Sequence, residues 1–171
     1  MSRDLLSQQT ASQVPIFRLM KTLMTSFFPD LNVWIALSVP EHRHSREAWH
    51  WLNMLAEGAR LILSRYTQMG MLRLLSNASV MSHGVLTIKQ AWRAYDRWLD
   101  DPRVEFHPEP RGLDNAFREA TAPLGSRPAS KWIGDCYLLA YAKTNDASLV
   151  TFDQTLLDYS RKHGYPAIVP A

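Results

Sequence analysis

The chain has 171 residues, 46% of them hydrophobic, with 19 Lys and Arg against 16 Asp and Glu and a net charge of +3. That length fits one domain that buries about two thirds of its unfolded surface, and a lone cysteine, Cys136, excludes an intramolecular disulfide and fits a reducing compartment. No run reaches the roughly 20 apolar residues of a membrane helix, and Arg18 and Lys21 interrupt the N-terminal apolar groups that a signal peptide would need.

The expectation is therefore a cytoplasmic protein with no membrane partner. A mildly basic charge is compatible with a polyanion such as RNA, although solubility alone accounts for a charge of this size.

Residues 1–23 read as an extension ahead of a domain over 24–171, with Ile16 to Met24 able to form a short amphipathic helix. Phe27-Phe28 is a short strand closed by Pro29-Asp30, and Leu31 to Leu37 reads as the first helix. Ser45 is an N-cap for a helix over 46–57, with Ala48, Trp49, Leu52 and Leu55 at helical spacing and Gly58 as its stop. Leu61-Ile62-Leu63 is a buried strand, and Tyr66 to Leu75 a helix with Met69, Leu72 and Leu75 on one side.

Thr87 caps a further helix whose Ile88, Ala91, Trp92, Tyr95, Trp98 and Leu99 form a stripe of period 3.6, ended by Pro102. Val104 to Phe106 is a strand, and 107–130, with four of the ten prolines, is loop around a helical piece near Leu113 to Thr121. Ser130 caps a helix carrying Trp132, Cys136, Leu139, Ala140 and Lys143; Ser148 to Phe152 and Ala167 to Val169 are the last strands. Strands alternating with longer helices predict parallel βαβ units in a three-layer α/β/α sandwich. No internal repeat or glycine-rich phosphate loop accompanies them.

In such a sheet, ligands gather beyond the carboxyl ends of the strands. Asp30 and Asp153 fall at two of those ends, where Asp is also an ordinary turn or cap residue. Asp135 is harder to explain structurally. It sits three residues after Trp132 and four before Leu139, beside the apolar stripe, where an ionised carboxylate needs a cation, a helix N-terminus or a shared metal.

Hard cations such as Mg²⁺ and Mn²⁺ suit oxygen donors of this kind. His42, His44 and His50 have a spacing that matches no closed zinc site and read as helix-entry packing. Cys136 reads as core filler, and the Trp92–Tyr95–Trp98 series as core or dimer interface ahead of a base-stacking platform.

Phe28-Pro29-Asp30-Leu31-Asn32-Val33-Trp34-Ile35-Ala36-Leu37 resembles the opening of a PIN-domain ribonuclease, specifically a VapC-type toxin. The likeness continues through His42-Arg43-His44, Ala48-Trp49, Thr67-Gln68-Met69-Gly70-Met71-Leu72-Arg73-Leu74-Leu75, Gly134 to Ala142, and Leu149-Val150-Thr151-Phe152-Asp153. These blocks keep the family's order over roughly residues 25–160, and are specific together rather than singly.

The resemblance implies a PIN-like three-layer fold with a mainly parallel sheet, in which Asp30, Asp135 and Asp153 hold Mg²⁺ or Mn²⁺ for hydrolysis of an RNA phosphodiester. Asp30 would be a direct ligand, and the other two would act directly or through water. It further implies a cognate antitoxin, a homodimer, and an RNA substrate for which transfer RNA is the family's habit.

One departure is Gln68, where many members carry Glu; a carboxamide can coordinate but brings no charge and cannot be a general base, which favours one ion over two. Glu47 is the nearest acidic substitute, on the solvent side by the helix reading. Arg65, Arg73, Lys89 and Arg93 are candidates for an RNA track.

The leading expectation is a metal-dependent endoribonuclease toxin. Gln68 keeps open a non-catalytic PIN-like module that holds RNA or protein. A phosphoaspartate-forming phosphatase is disfavoured, because Asn32 stands where that chemistry has its second Asp.

Overall fold

The computed structural model describes residues 25–81, 84–126 and 128–171. The expected extension over 1–23 and its amphipathic helix lie outside the described residues. Among those described, no helix is long and apolar enough to cross a membrane.

Five parallel strands form one sheet in the order β3-β2-β1-β4-β5: β1 (Ser26–Pro29), β2 (Arg60–Leu63), β3 (Val104–Phe106), β4 (Ala147–Val150) and β5 (Ala167–Ile168). A parallel sheet has both faces covered, and side-chain alternation along each strand divides the core accordingly. Phe28, Ile62 and Leu149 pack on one face with α6 (Leu113–Thr121), α7 (Ile133–Thr144) and α8 (Gln154–His163). Phe27, Leu61, Leu63 and Val150 pack on the other with α1 (Leu31–Ser38), α2 (Ser45–Met54), α3 (Arg65–Leu75) and α5 (Ile88–Leu99). A four-residue helix, α4 (Ala78–Met81), joins α3 to the segment before α5. The three-layer α/β/α expectation holds.

Local chemistry explains most boundaries. Ser64 and Thr67 form a reciprocal capping box on α3, and Thr87 with Gln90 does the same for α5. Several expectations need correction. α2 ends at Met54, with Leu55 already extended, three residues before the expected stop at 57. Ser130 does not cap α7: Ser130–Trp132 is a 3₁₀ turn, and the helix starts at Ile133. Met69 does not share a buried side with Leu75, being 63% exposed. In the α5 stripe only Ala91 and Tyr95 are buried, while Ile88, Trp92 and Leu99 face solvent.

α8 was not expected at all. Its signals are Asp153 at the N-cap, Arg161, Lys162 and His163 in the last turn, and Gly164 in the left-handed region at φ 73° beyond it.

Candidate active site

The chain runs from β1 to β3 on one side of β1 and places β4 and β5 on the other. The topological switch point therefore lies between β1 and β4, where a crevice opens beyond the carboxyl ends of an α/β sheet. In register, Pro29 pairs with Val150, and Asp30 N–H donates to the Val150 carbonyl at 2.8 Å. That register brings Asp30 and Thr151 side by side as they leave their strands. The Thr151 hydroxyl donates to Asp30 Oδ2 at 2.8 Å, and accepts from Asn32 Nδ2 at 3.2 Å and from the Asp153 N–H at 3.1 Å. This fully buried threonine ties both acidic strand ends together.

Asp30 also caps α1, its Oδ1 accepting from Leu31 N–H. It is 8% exposed. Burial pushes its carboxyl up to about 6; the Thr151 and Leu31 hydrogen bonds pull it back, and Asp135 and Asp153 push it further up. Asp135 sits in the first turn of α7, half-buried, and burial followed by the charge of Asp153 raises its carboxyl too. Asp153 caps α8, accepting from Thr155 N–H at 2.8 Å and Leu156 N–H at 3.2 Å through Oδ1, and is exposed.

The three aspartates thus stand within electrostatic reach of one another, each in the N-terminal turn or cap of a helix, where anions are favoured. Among the described residues no Lys, Arg or His forms a salt bridge with Asp30 or Asp135. Nor do three or more His, Cys, Asp or Glu side chains draw close enough to hold a metal ion by themselves. The acidic set is open, with Asp30 innermost.

Gln68 is not free to join it. It is 7% exposed, its Oε1 accepts from Arg65 Nη1, and its side chain is also hydrogen-bonded to Tyr95. Glu47 is not on the solvent side: its Oε2 is buried without a hydrogen-bond partner among the described residues.

Of the three histidines, His44 stacks on Phe152 at 4.3 Å with His42 at 5.9 Å from it, whereas His50 is exposed and takes no part in that packing. His42 and Asp30 line a groove of about 960 Å³ that runs over Ile35 and Val39 to Met81. Arg65 lies over the Phe106 ring at 4.9 Å; Arg73, Lys89 and Arg93 are exposed.

Sequence reasoning missed two residues at this edge. Thr151 reads in the sequence only as part of the Leu149 to Asp153 block, with no role of its own, since Thr is common in strands. Tyr66 looked like an ordinary first-turn residue, yet its hydroxyl is pushed up by burial and then by the charges of Asp30 and Asp135, with Arg73 acting the other way.

An open parallel sheet with acids converging at its switch point is the architecture of a PIN domain, and residues 27–162 match that family. The chain belongs to the PIN-domain family. Among its relatives is Ribonuclease VapC41 of Mycobacterium tuberculosis, 37% identical over 134 residues, which span 76% of this chain and 90% of that protein. Ribonuclease VapC39 of the same organism is 28% identical over 138 residues, 75% of this chain and 89% of that protein. Solved structures with the same fold include VapBC2 from Rickettsia felis bound to a DNA fragment from their promoter, at a TM-score of 0.62 and 14% identity over 85% of this chain and 98% of that one. VapBC-1 from nontypeable Haemophilus influenzae aligns at 0.59 and 16% identity, over 85% and 98% respectively.

Proposed function

We propose that the chain is a metal-dependent endoribonuclease, the toxin of a toxin–antitoxin pair, with Asp30, Asp135 and Asp153 at its centre. The observation that carries this reading is the state of Asp30, a buried carboxyl raised to about 6 that two further carboxyls push in the same direction. A divalent cation is the charge such a set of oxygen donors lacks, and Mg²⁺ is usually met by one or two carboxylates with waters completing its shell. The open arrangement fits that habit: Asp30 would be the direct ligand, with Asp135 and Asp153 reaching the ion directly or through water. The chemistry such an ion would supply, held by Asp30, Asp135 and Asp153, is a lowered pKa for water and an offset to charge developing on the phosphodiester.

The protein's own groups prepare the site. Thr151 and the Leu31 N–H fix the two Asp30 oxygens, so the carboxylate is aimed before any ion arrives. The N-terminal ends of α1, α7 and α8 lie at the same edge and favour a phosphate there. An antitoxin partner is supported by the VapBC assemblies that share the fold. Homodimerisation is supported by exposed Ile88, Trp92 and Leu99 on α5, an apolar stripe suited to a second copy.

The test is cleavage of single-stranded RNA with Mn²⁺, with and without chelator, by the wild type and Asp30→Asn. The expected result is cleavage that needs the ion and is lost in the variant. Unchanged cleavage in chelator, or by the variant, overturns the mechanism; no Mn²⁺ binding at neutral pH favours the non-catalytic module that Gln68 keeps open.

A further inference from the structure

Tyr66 follows the first residue of α3 and is 43% exposed. A Cβ on Gly134, the residue before Asp135, would stand 2.5 Å from the Tyr66 hydroxyl oxygen, so the bare glycine makes room for it. The ring leans on Tyr137 with centroids 5.1 Å apart and an interplanar angle of 36°.

One and two turns further along α3, Met69, Gly70 and Arg73 join Tyr66 and Leu31 around a pocket of about 370 Å³. Leu31 immediately follows Asp30. A Cβ on Gly70 would meet Leu31 Cδ2 at 2.6 Å, so the helices approach closely on that side. An exposed tyrosine on a helix is ordinarily solvated surface. Here its hydroxyl feels Asp30 and Asp135, and its pocket has an aromatic ring, a thioether and a guanidinium but no carboxylate among the described lining residues. Arg73 is exposed and forms no ion pair with any described residue.

An aromatic face beside a cation that has no ion pair among the described residues suits a flat ligand that carries negative charge, and every nucleobase offers a face for stacking. We propose that this pocket is a nucleobase subsite: the base of a nucleotide beside the scissile RNA phosphate stacks on Tyr66, against Met69, while Arg73 holds a neighbouring phosphate. The inference rests on the ribonuclease reading above and assigns a further positioning role within it. It makes Tyr66 a determinant of which phosphodiester is presented to the acidic cluster.

Two measurements test it. The first compares kcat/KM on an RNA oligonucleotide and on the same RNA with an abasic residue next to its cleavage site, for wild type, Tyr66→Ala and Tyr66→Phe. Tyr66→Ala should lose about 5- to 150-fold on intact RNA, the range for one base stacked on an aromatic ring. It should lose nothing further on abasic RNA, and Tyr66→Phe should stay near wild type. Equal losses for Tyr66→Ala on both RNAs, or a loss in Tyr66→Phe as large as in Tyr66→Ala, overturn the stacking role.

The second measurement needs no cleavage. RNA carrying 2-aminopurine is titrated in chelator, and stacking should quench its fluorescence with wild type and Tyr66→Phe but not with Tyr66→Ala. Identical quenching by all three overturns the subsite. Failure of the wild type to cut RNA with Mn²⁺ would instead overturn the ribonuclease reading, and the quenching result would still decide the pocket.

Discussion

Asp30 and Asp153 leave neighbouring strands at the same edge of the sheet, and each caps the helix that follows, yet they stand in different surroundings. Asp30 comes directly after β1, is 8% exposed, and has both oxygens engaged. Asp153 stands beyond Thr151 and Phe152, clear of β4, and is exposed with Oδ1 engaged in its cap. A capping role is enough to stabilise the Asp153 carboxylate where it stands, because an exposed carboxylate at an N-cap is stable as it is. It does not account for Asp30, where two hydrogen bonds leave the carboxyl still raised to about 6. Closeness to the sheet, rather than local motif, separates the buried acid with a raised carboxyl from the exposed one.

The largest expected effect compares the two directly. Asp30→Asn removes the proposed inner ligand and should lower kcat/KM on RNA by about a thousandfold or more, a loss of several kcal/mol of charge stabilisation. Asp153→Asn keeps a good N-cap and should lower it by only about 10- to 100-fold, as expected of a group acting at the rim of a metal site. Steady-state rates at saturating Mn²⁺ measure both, and equal losses would break the distinction.

Next comes stability without metal. Between pH 3.8 and about 6 the folded chain keeps a proton on Asp30 that the unfolded chain has released. Metal-free stability should therefore fall as pH rises through that window and level off above it. The ionised carboxylate opposes folding by an amount on the order of 3 kcal/mol, so metal-free Asp30→Asn should be more stable than wild type at pH 7.5 by about 1–3 kcal/mol in urea unfolding. Mn²⁺ at about 100 times its Kd should add about 2.7 kcal/mol to the wild type and little to the variant. A metal-free wild type as stable as Asp30→Asn would mean that Asp30 has a compensating partner.

Thr151 is what couples the two acids, donating to one and accepting the backbone N–H of the other. Thr151→Val keeps shape and burial but removes the hydroxyl, so the Asp30 carboxyl should rise further and Mn²⁺ affinity at pH 7 should fall by about tenfold or more, the usual weight of an outer partner of a metal ligand. Thr151→Ser should restore most of it. Isothermal titration with Mn²⁺ reads the effect, and unchanged affinity in Thr151→Val would separate the hydroxyl from the site.

Much of this was legible in the chain itself. Both strand-end acids, the Thr87 cap and the helix over Leu113–Thr121 follow from turn chemistry and periodicity. Asp135 stood out because its helix places it beside apolar residues, and it is indeed half-buried. The coupling through Thr151 was not legible, because it depends on the register between strands that brings together Asp30 and Thr151, 121 positions apart in the chain, which no local pattern encodes. Tyr66 escaped for the same reason: its surroundings come from Gly134 on α7. The α5 stripe misled in the other direction, since period 3.6 identifies an apolar face without saying whether the protein's own core covers it.

Gln68 carries the smallest expected effect and bears on the inner side of the comparison. Its position invites Gln68→Glu as a way to add charge beside Asp30. The side chain is already engaged, however: Arg65 donates to its Oε1, and Tyr95 is bonded to it from α5. A carboxylate there would pair with Arg65 before it met an ion in the crevice, and an ion pair with so exposed an arginine is worth only about 0.2–1 kcal/mol. Mn²⁺ affinity of Gln68→Glu should therefore stay within about fivefold of the wild type. A tenfold or greater gain, measured by the same titration, would put position 68 among the ion's ligands and extend the inner site from Asp30 to α3.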